Sequence, residues 1–404
     1  MSDFAPETAA PPPATLPRLV ALDQFRGYTV AGMFLVNFLG SYEICPLIWR
    51  HSNTYCSYAD TIMPQFFFAV GFAMRLSFLR RQQQSGTPAA WSRLVRRIIG
   101  LAVIAIAWYG YGEFSEIRRR LPAEGIGPTL YWLFKGPLFQ TLLHIAATSL
   151  WILPVLAATK NVRVAYAALS AVIHLGLSYA FYFNWVHTPP ESIDGGPLGF
   201  LTWTIPTIGG TLACDYWMSA AGSPKLNPYL WSGLGLMTLG WLLSCGTTIY
   251  NVPPTEWETR ASQKYADNPV IPSKTEWEAW QIQPAEPPFN PPPNQDRRKG
   301  NYWMMSQQHG TPSYLIFSTG LSFIIFAGFI WLSENQGIQF SLFRTLGINA
   351  LAGYILHSIS AEIVAPHLKQ NSPATEVYAG FVVYFLLVYL VLRLMEWRNI
   401  RLRI

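Results

Sequence analysis

Charge is what this chain has least of. Asp, Glu, Lys and Arg make up 12% of its 404 residues, against 51% hydrophobic residues, whereas soluble domains carry about 25% charged residues. That deficit excludes an ordinary soluble domain and implies an integral membrane protein. The formal charge of +6 is not gathered into a basic stripe, so no nucleic-acid partner is expected. Cysteine is also sparse. Cys214 and Cys245 sit in apolar runs and read as packing residues. Cys45 and Cys56 flank His51 in a loop expected outside the cytoplasm, where a disulfide and two free thiols are both open readings. The seven histidines lack the close, repeated spacing of a ligand set, so no metal is expected, and no P-loop occurs. Met1 to Pro17, rich in Ala and Pro, has neither the basic nor the apolar region of a cleaved signal. Residues 1–17 are expected to form a disordered tail, and the first span to stay in the mature chain.

Long apolar runs, by contrast, are abundant. A helix needs about 20 mostly apolar residues to cross the hydrocarbon. By that rule ten spans are expected, near 26–44, 58–79, 94–112, 138–158, 163–185, 200–218, 229–250, 313–333, 342–362 and 376–395. The fold class is therefore all-α, a polytopic membrane protein occupying 18–404. Arg80, Arg81, Arg93, Arg96 and Arg97 bracket one short connection, which should be cytoplasmic. Lys160, Arg163, Lys225, Arg344 and the tail arginines then fall on the same side, with both termini inside. Arg118, Arg119 and Arg120 are the exception, partly offset by Glu113, Glu116 and Glu124. The stretch 251–311 is a long proline-loaded extracytoplasmic loop, with no secondary structure expected beyond short turns. Its Trp257, Trp277, Trp280 and Phe289 imply that part of it packs over the outer mouth. Trp 16, Tyr 20 and Phe 24 fit aromatic belts at the headgroups.

A few polar residues interrupt the first two spans. Charge inside hydrocarbon costs roughly 2.5–3.5 kcal/mol on insertion scales, so such groups usually pair and often act. Asp23 and Arg26 stand at the cytoplasmic entry to span one. They read as a buried pair shaping the fold or the cytosolic entrance, with phosphate or pantetheine contact by Arg26 as the alternative. Asn37 lies within the span, either bridging helices or facing a cavity. His51 lies just beyond it and, with an ordinary pKa near 6.5, can take a proton at neutral pH. The competing reading is an interfacial loop histidine without a role. Asp60 opens span two, either capping it or orienting the His51 imidazole.

These residues fall in a recognisable order: Leu22, Asp23, Phe25, Arg26 and Gly27; Val36 and Asn37; Arg50 and His51; Ala59, Asp60 and Pro64; then Phe66 to Gly71. The series resembles the transmembrane acyltransferases typified by heparan-α-glucosaminide N-acetyltransferase. Asp194 to Gly199 with Thr204 to Gly210, and Gly347, Asn349, Tyr354 and His357, are similar to two later segments of that family. Trp303, Thr311, Ser313, Tyr314 and Gly320 resemble a weaker one. Gln140 matches as well, although Thr141 replaces the family's basic residue. The resemblance implies transfer of an acetyl or other acyl group from cytosolic acetyl-CoA, a co-substrate, to an extracytoplasmic sugar or amino sugar. It implies His51 as base, Asn37 as donor to the thioester oxyanion, Asp60 as the acid that steadies the imidazolium, and Asn349 and His357 as cavity-lining binding residues. The expected partners are membrane lipids and a glycan or amino sugar acceptor, with a homodimer open. The short N-terminus suggests a bacterial inner membrane and cell-envelope glycans or small amino sugars. Two other readings stand beside it. One is a transporter or flippase of a polar or lipid-linked substrate, although no internal repeat is visible. The other is an acyltransferase of the second large membrane superfamily, which also opens with a D-x-x-R-G segment.

Overall fold

The fold is described from a computed structural model, covering residues 19–220, 225–252, 264–292 and 297–402. The tail over 1–17 and Trp257 lie outside the described residues. All regular structure among them is helical, apart from two isolated β-bridges, Asn251 with Arg298 and Tyr265 with Gly300. The helices are α1 (Val20–Leu39), α2 (Ile62–Gly112), α3 (Phe114–Glu124), α4 (Ile126–Lys135), α5 (Thr141–Ile152), α6 (Lys160–Leu177) and α7 (Phe183–His187). They continue as α8 (Phe200–Ser219), α9 (Asn227–Ser244), α10 (Lys274–Ala279), α11 (Pro312–Ile330), α12 (Ser341–Ile348), α13 (Ala350–Val364) and α14 (Ala374–Trp397).

Five stretches are long and apolar enough to cross a membrane: 59–112, 160–187, 227–250, 312–335 and 374–397. A sixth is added if 341–348 and 350–367, bent by 93° at their junction, form one broken span. The first of the five is 51 residues of helix, about 76 Å at 1.5 Å per residue, more than twice the hydrocarbon thickness. It does not run straight. Gly86 has φ +81°, outside helical space, and beyond it the chain turns back. The rings of Phe78 and Trp91 then meet with centroids 4.7 Å apart, which a continuous helix would forbid. Met74, Phe78, Ala90, Leu94 and Ile98 share one core.

The expected spans at 26–44, 138–158 and 200–218 correspond to α1, α5 and α8, which are less apolar or shorter than the five. Their polarity follows from position. α8 packs against α2, α5, α6 and α11 and is largely buried. Its threonines return their hydroxyls to the helix itself, Thr204 to the Phe200 carbonyl and Thr207 to that of Trp203, both at 2.9 Å. Helices at the centre of the bundle need not be greasy all round.

Two of the recognisable motifs interlock. A Cβ on Gly27 of α1 would overlap the Phe343 carbonyl of α12, and one on Gly347 would overlap that of Asp23. Only glycine lets these backbones touch. The long loop packs back onto the helices, as expected from its aromatics. Phe289 N–H donates to the Cys56 carbonyl (2.9 Å) and Trp280 Nε1–H to Thr248 (3.1 Å). The loop also contains the one-and-a-half-turn helix α10, beyond the turns expected. Ser273 caps it and Glu276 returns to the Ser273 N–H.

Candidate functional site

The loop between α1 and α2 carries His51, and its shape is fixed by backbone acceptors. Arg50 donates to the Tyr42 carbonyl (2.6 Å), and Glu43 N–H to the Gln370 carbonyl (2.9 Å). His51 Nδ1 lies 2.9 Å from Asp60 Oδ1. The Asp60 carboxylate, 1% exposed, also accepts from Ser57 N–H and Oγ–H (both 2.9 Å) and, at 3.3 Å, from Ser52 N–H. With donors on every side, the Asp60 oxygens act as acceptors. His51 Nδ1 therefore carries the proton, and Nε2 of the neutral ring is left as a base. Tyr314 pins this turn by donating to the Asp60 carbonyl (2.5 Å).

His51 opens into a cavity of about 790 Å³. Its side chain is 46% exposed there. Burial alone would lower its pKa. The hydrogen bond and charge of Asp60, the charge of Asp194 and the Gln307 side chain outweigh burial, and the pKa rises above its ordinary 6.5. Asp194 is buried in a turn with φ +54°. Burial pushes its pKa up to about 6, against the hydrogen bond from Gln307 and the charge of His51, while Asp60 adds to the rise.

Asn37 lines the same cavity, and so does His357. His357 Nδ1 donates to the Tyr354 carbonyl, so its Nε2 accepts from Asn37 Nδ2, 3.4 Å away. One Asn37 N–H is thereby engaged with His357, and its second remains for a ligand. Of the five residues expected to share one cavity, His51, Asp60, Asn37 and His357 do. Asn349 does not. It stands at the break between α12 and α13, with φ −119° and ψ 44°. Its amide holds the C-terminal tail, donating to the Ile400 carbonyl (3.0 Å) and accepting from Leu402 N–H (3.1 Å). Asn349 directly precedes α13, which carries His357, but its non-helical backbone and its bonds to the tail take its amide there rather than to the cavity. Cys45 and Cys56 are buried free thiols, which settles the disulfide question against a bridge.

A second cavity, of about 550 Å³, lies toward the other end of α1 and is lined by Asp23, Arg26, Arg93, Arg97 and Arg401. Phe66, Thr141 and Tyr354 line both spaces, so the two abut. Tyr354 is fixed there by a 3.0 Å hydrogen bond to Tyr109, which itself accepts from Leu142 N–H (2.9 Å). The charges differ sharply. Among the described residues the His51 cavity is lined by Asp60, Asp194, Glu113 and Glu362, with no Lys or Arg, while four arginines face the second.

Sequence reasoning missed Gln307, Tyr109 and Glu113, and placed Asp194 in a motif without a role. Asp194 could have been found as the first residue of a glycine-rich segment. Nothing in the local sequence marks Gln307, which reaches the site from the end of the long loop. No protein-family model matches this chain, and no curated protein matches it.

Proposed function

We propose that the protein is a membrane-embedded acyltransferase, moving an acetyl or other acyl group from acyl-CoA in the inner cavity to an acceptor in the outer one. The observation that carries the reading is the pair of abutting cavities of opposite charge, with a His51–Asp60 dyad on the outer side. The arginine-lined space suits the phosphates of CoA. The thioester would thread past Phe66, Thr141 and Tyr354, and the acidic outer space suits an amino sugar. The acceptor nitrogen attacks the thioester carbon, and its proton passes to His51 Nε2. The tetrahedral intermediate then collapses, the C–S bond breaks, and the thiolate of CoA leaves and is reprotonated from the imidazolium. Asn37, through its second N–H, is placed to donate to the oxyanion. Ten crossings, both termini inside and an inner bacterial membrane complete the proposal. The hairpin at Gly86 supports counting 59–112 as two crossings.

Two joined cavities are also what a transporter of a polar or lipid-linked substrate would need, so the decisive assay is chemical. Purified protein in detergent, given radiolabelled acetyl-CoA and glucosamine, is expected to yield acetylated sugar. His51→Ala should lower the rate by about 10²–10⁴-fold with thermal stability unchanged, since the imidazole faces a cavity. A variant within threefold of wild type would remove His51 from the chemistry.

A further inference from the structure

Gln307 is not accounted for by this mechanism, and its two ends are treated very differently. Its Nε2 donates to Asp194 Oδ1 (2.8 Å) and faces the Met63 sulfur at 3.8 Å. While Asp194 is ionised, above its pKa of about 6, it cannot donate, so the amide nitrogen is held toward it and the oxygen points the other way. That oxygen, Oε1, is buried and has no hydrogen-bond partner. Buried acceptors are nearly always satisfied, and an exception asks for a cause. His51 lines the same cavity as Gln307, and the Gln307 side chain raises the His51 pKa. Since Nδ1 already holds Asp60, the ring atom left to meet Oε1 is Nε2, which carries no proton in the resting base.

We propose that Gln307, oriented by Asp194, is a positioning residue for the protonated state of His51: its Oε1 accepts the Nε2–H that forms when His51 takes the acceptor's proton. The proposal rests on His51 acting as the base. In the resting enzyme an acceptor atom faces an unprotonated nitrogen and goes unsatisfied. When the N–H bond of the acceptor breaks and the Nε2–H bond forms, Oε1 gains its donor. The proton is held there until the thioester collapses and it returns to the departing thiolate. Asp194 sets the direction of the amide, and the rise in the His51 pKa above its ordinary value fits the arrangement. The other charged and titratable groups around this cavity are Asp60, Asp194, Glu113, Glu362, His357, Tyr109, Tyr111 and Tyr354, and the Gln307 variants below leave all of them in place.

The test needs no substrate. In full-length protein labelled with ¹⁵N-histidine, the His51 signal is identified by its loss in His51→Ala and titrated. Gln307→Met keeps the length of the side chain and removes the acceptor. It should lower the His51 pKa by about one pH unit, the scale of one hydrogen bond to a charged group. Gln307→Glu puts a carboxylate in the same place and should raise it. Opposite shifts for Met and Glu support the role. An unchanged pKa in Gln307→Met, or shifts of the same sign in Met and Glu, overturns it. Acyl transfer is scored separately. If the pKa values move as stated but wild type transfers nothing from acetyl-CoA to glucosamine, the proposed function fails and the Gln307–His51 coupling stands.

Discussion

Asp60 does two things that the chain could not obtain from an amide. As a buried carboxylate surrounded by the donors of Ser52, Ser57 and His51, it fixes the imidazole tautomer and holds the His51 pKa up. The reacting form of His51 is the neutral ring, so the rate should rise with pH through a pKa above 6.5. In Asp60→Asn the raising charge is gone while burial still lowers the pKa, so the acid limb should move to lower pH. The plateau should also fall by about 10²–10⁴-fold, because an amide no longer dictates which ring nitrogen carries the proton. A pH–rate profile with an unmoved acid limb would mean that Asp60 is only a cap for the helix it precedes. This dyad was legible from sequence because its members are nine positions apart and both flank span boundaries. The Asp194–Gln307 contact was not, since its partners are 113 positions apart and neither lies on a periodic helix.

Between elements, the tightest constraint is the crossing of α1 and α12. Gly27 and Gly347 each lie against the other helix's backbone, where no side chain can swing aside. Gly347→Ala should therefore force the helices apart and cost about 1–3 kcal/mol, the range for overpacking a filled core. The expected readout is a lower midpoint of thermal unfolding in detergent. A midpoint equal to wild type would show that the crossing is looser than described. Sequence placed both glycines in motifs, but only the backbone contact says why alanine fails. Asn349 shows the opposite outcome. It was expected to line the cavity with His357, and it heads the same helix, but at the 93° bend its amide binds the C-terminal tail instead. A bend of this kind leaves no trace in apolar periodicity, because both arms remain apolar.

For the whole molecule, hydropathy did not separate rim from centre. The stretches 374–397 and 160–187 are the least buried within the protein, consistent with a lipid-facing rim, while 312–335, as apolar as 374–397, is mostly buried. The helices α1 and α8, which carry polar groups and pack at the centre, fall short of them. All-helical character and membrane insertion were thus readable from composition. The opposed charges of two abutting cavities were not, because Arg26, Arg97 and Arg401 come from three separate helices or tails. That opposition makes the central claim directional. Protein reconstituted into sealed vesicles, with glucosamine trapped inside and ¹⁴C-acetyl-CoA supplied outside, measures it directly. The account predicts labelled N-acetylglucosamine inside, no labelled acetyl-CoA inside, and loss of the product in His51→Ala. Labelled acetyl-CoA or glucosamine crossing the bilayer unreacted, with no acetylated sugar formed, would contradict it and leave a transporter.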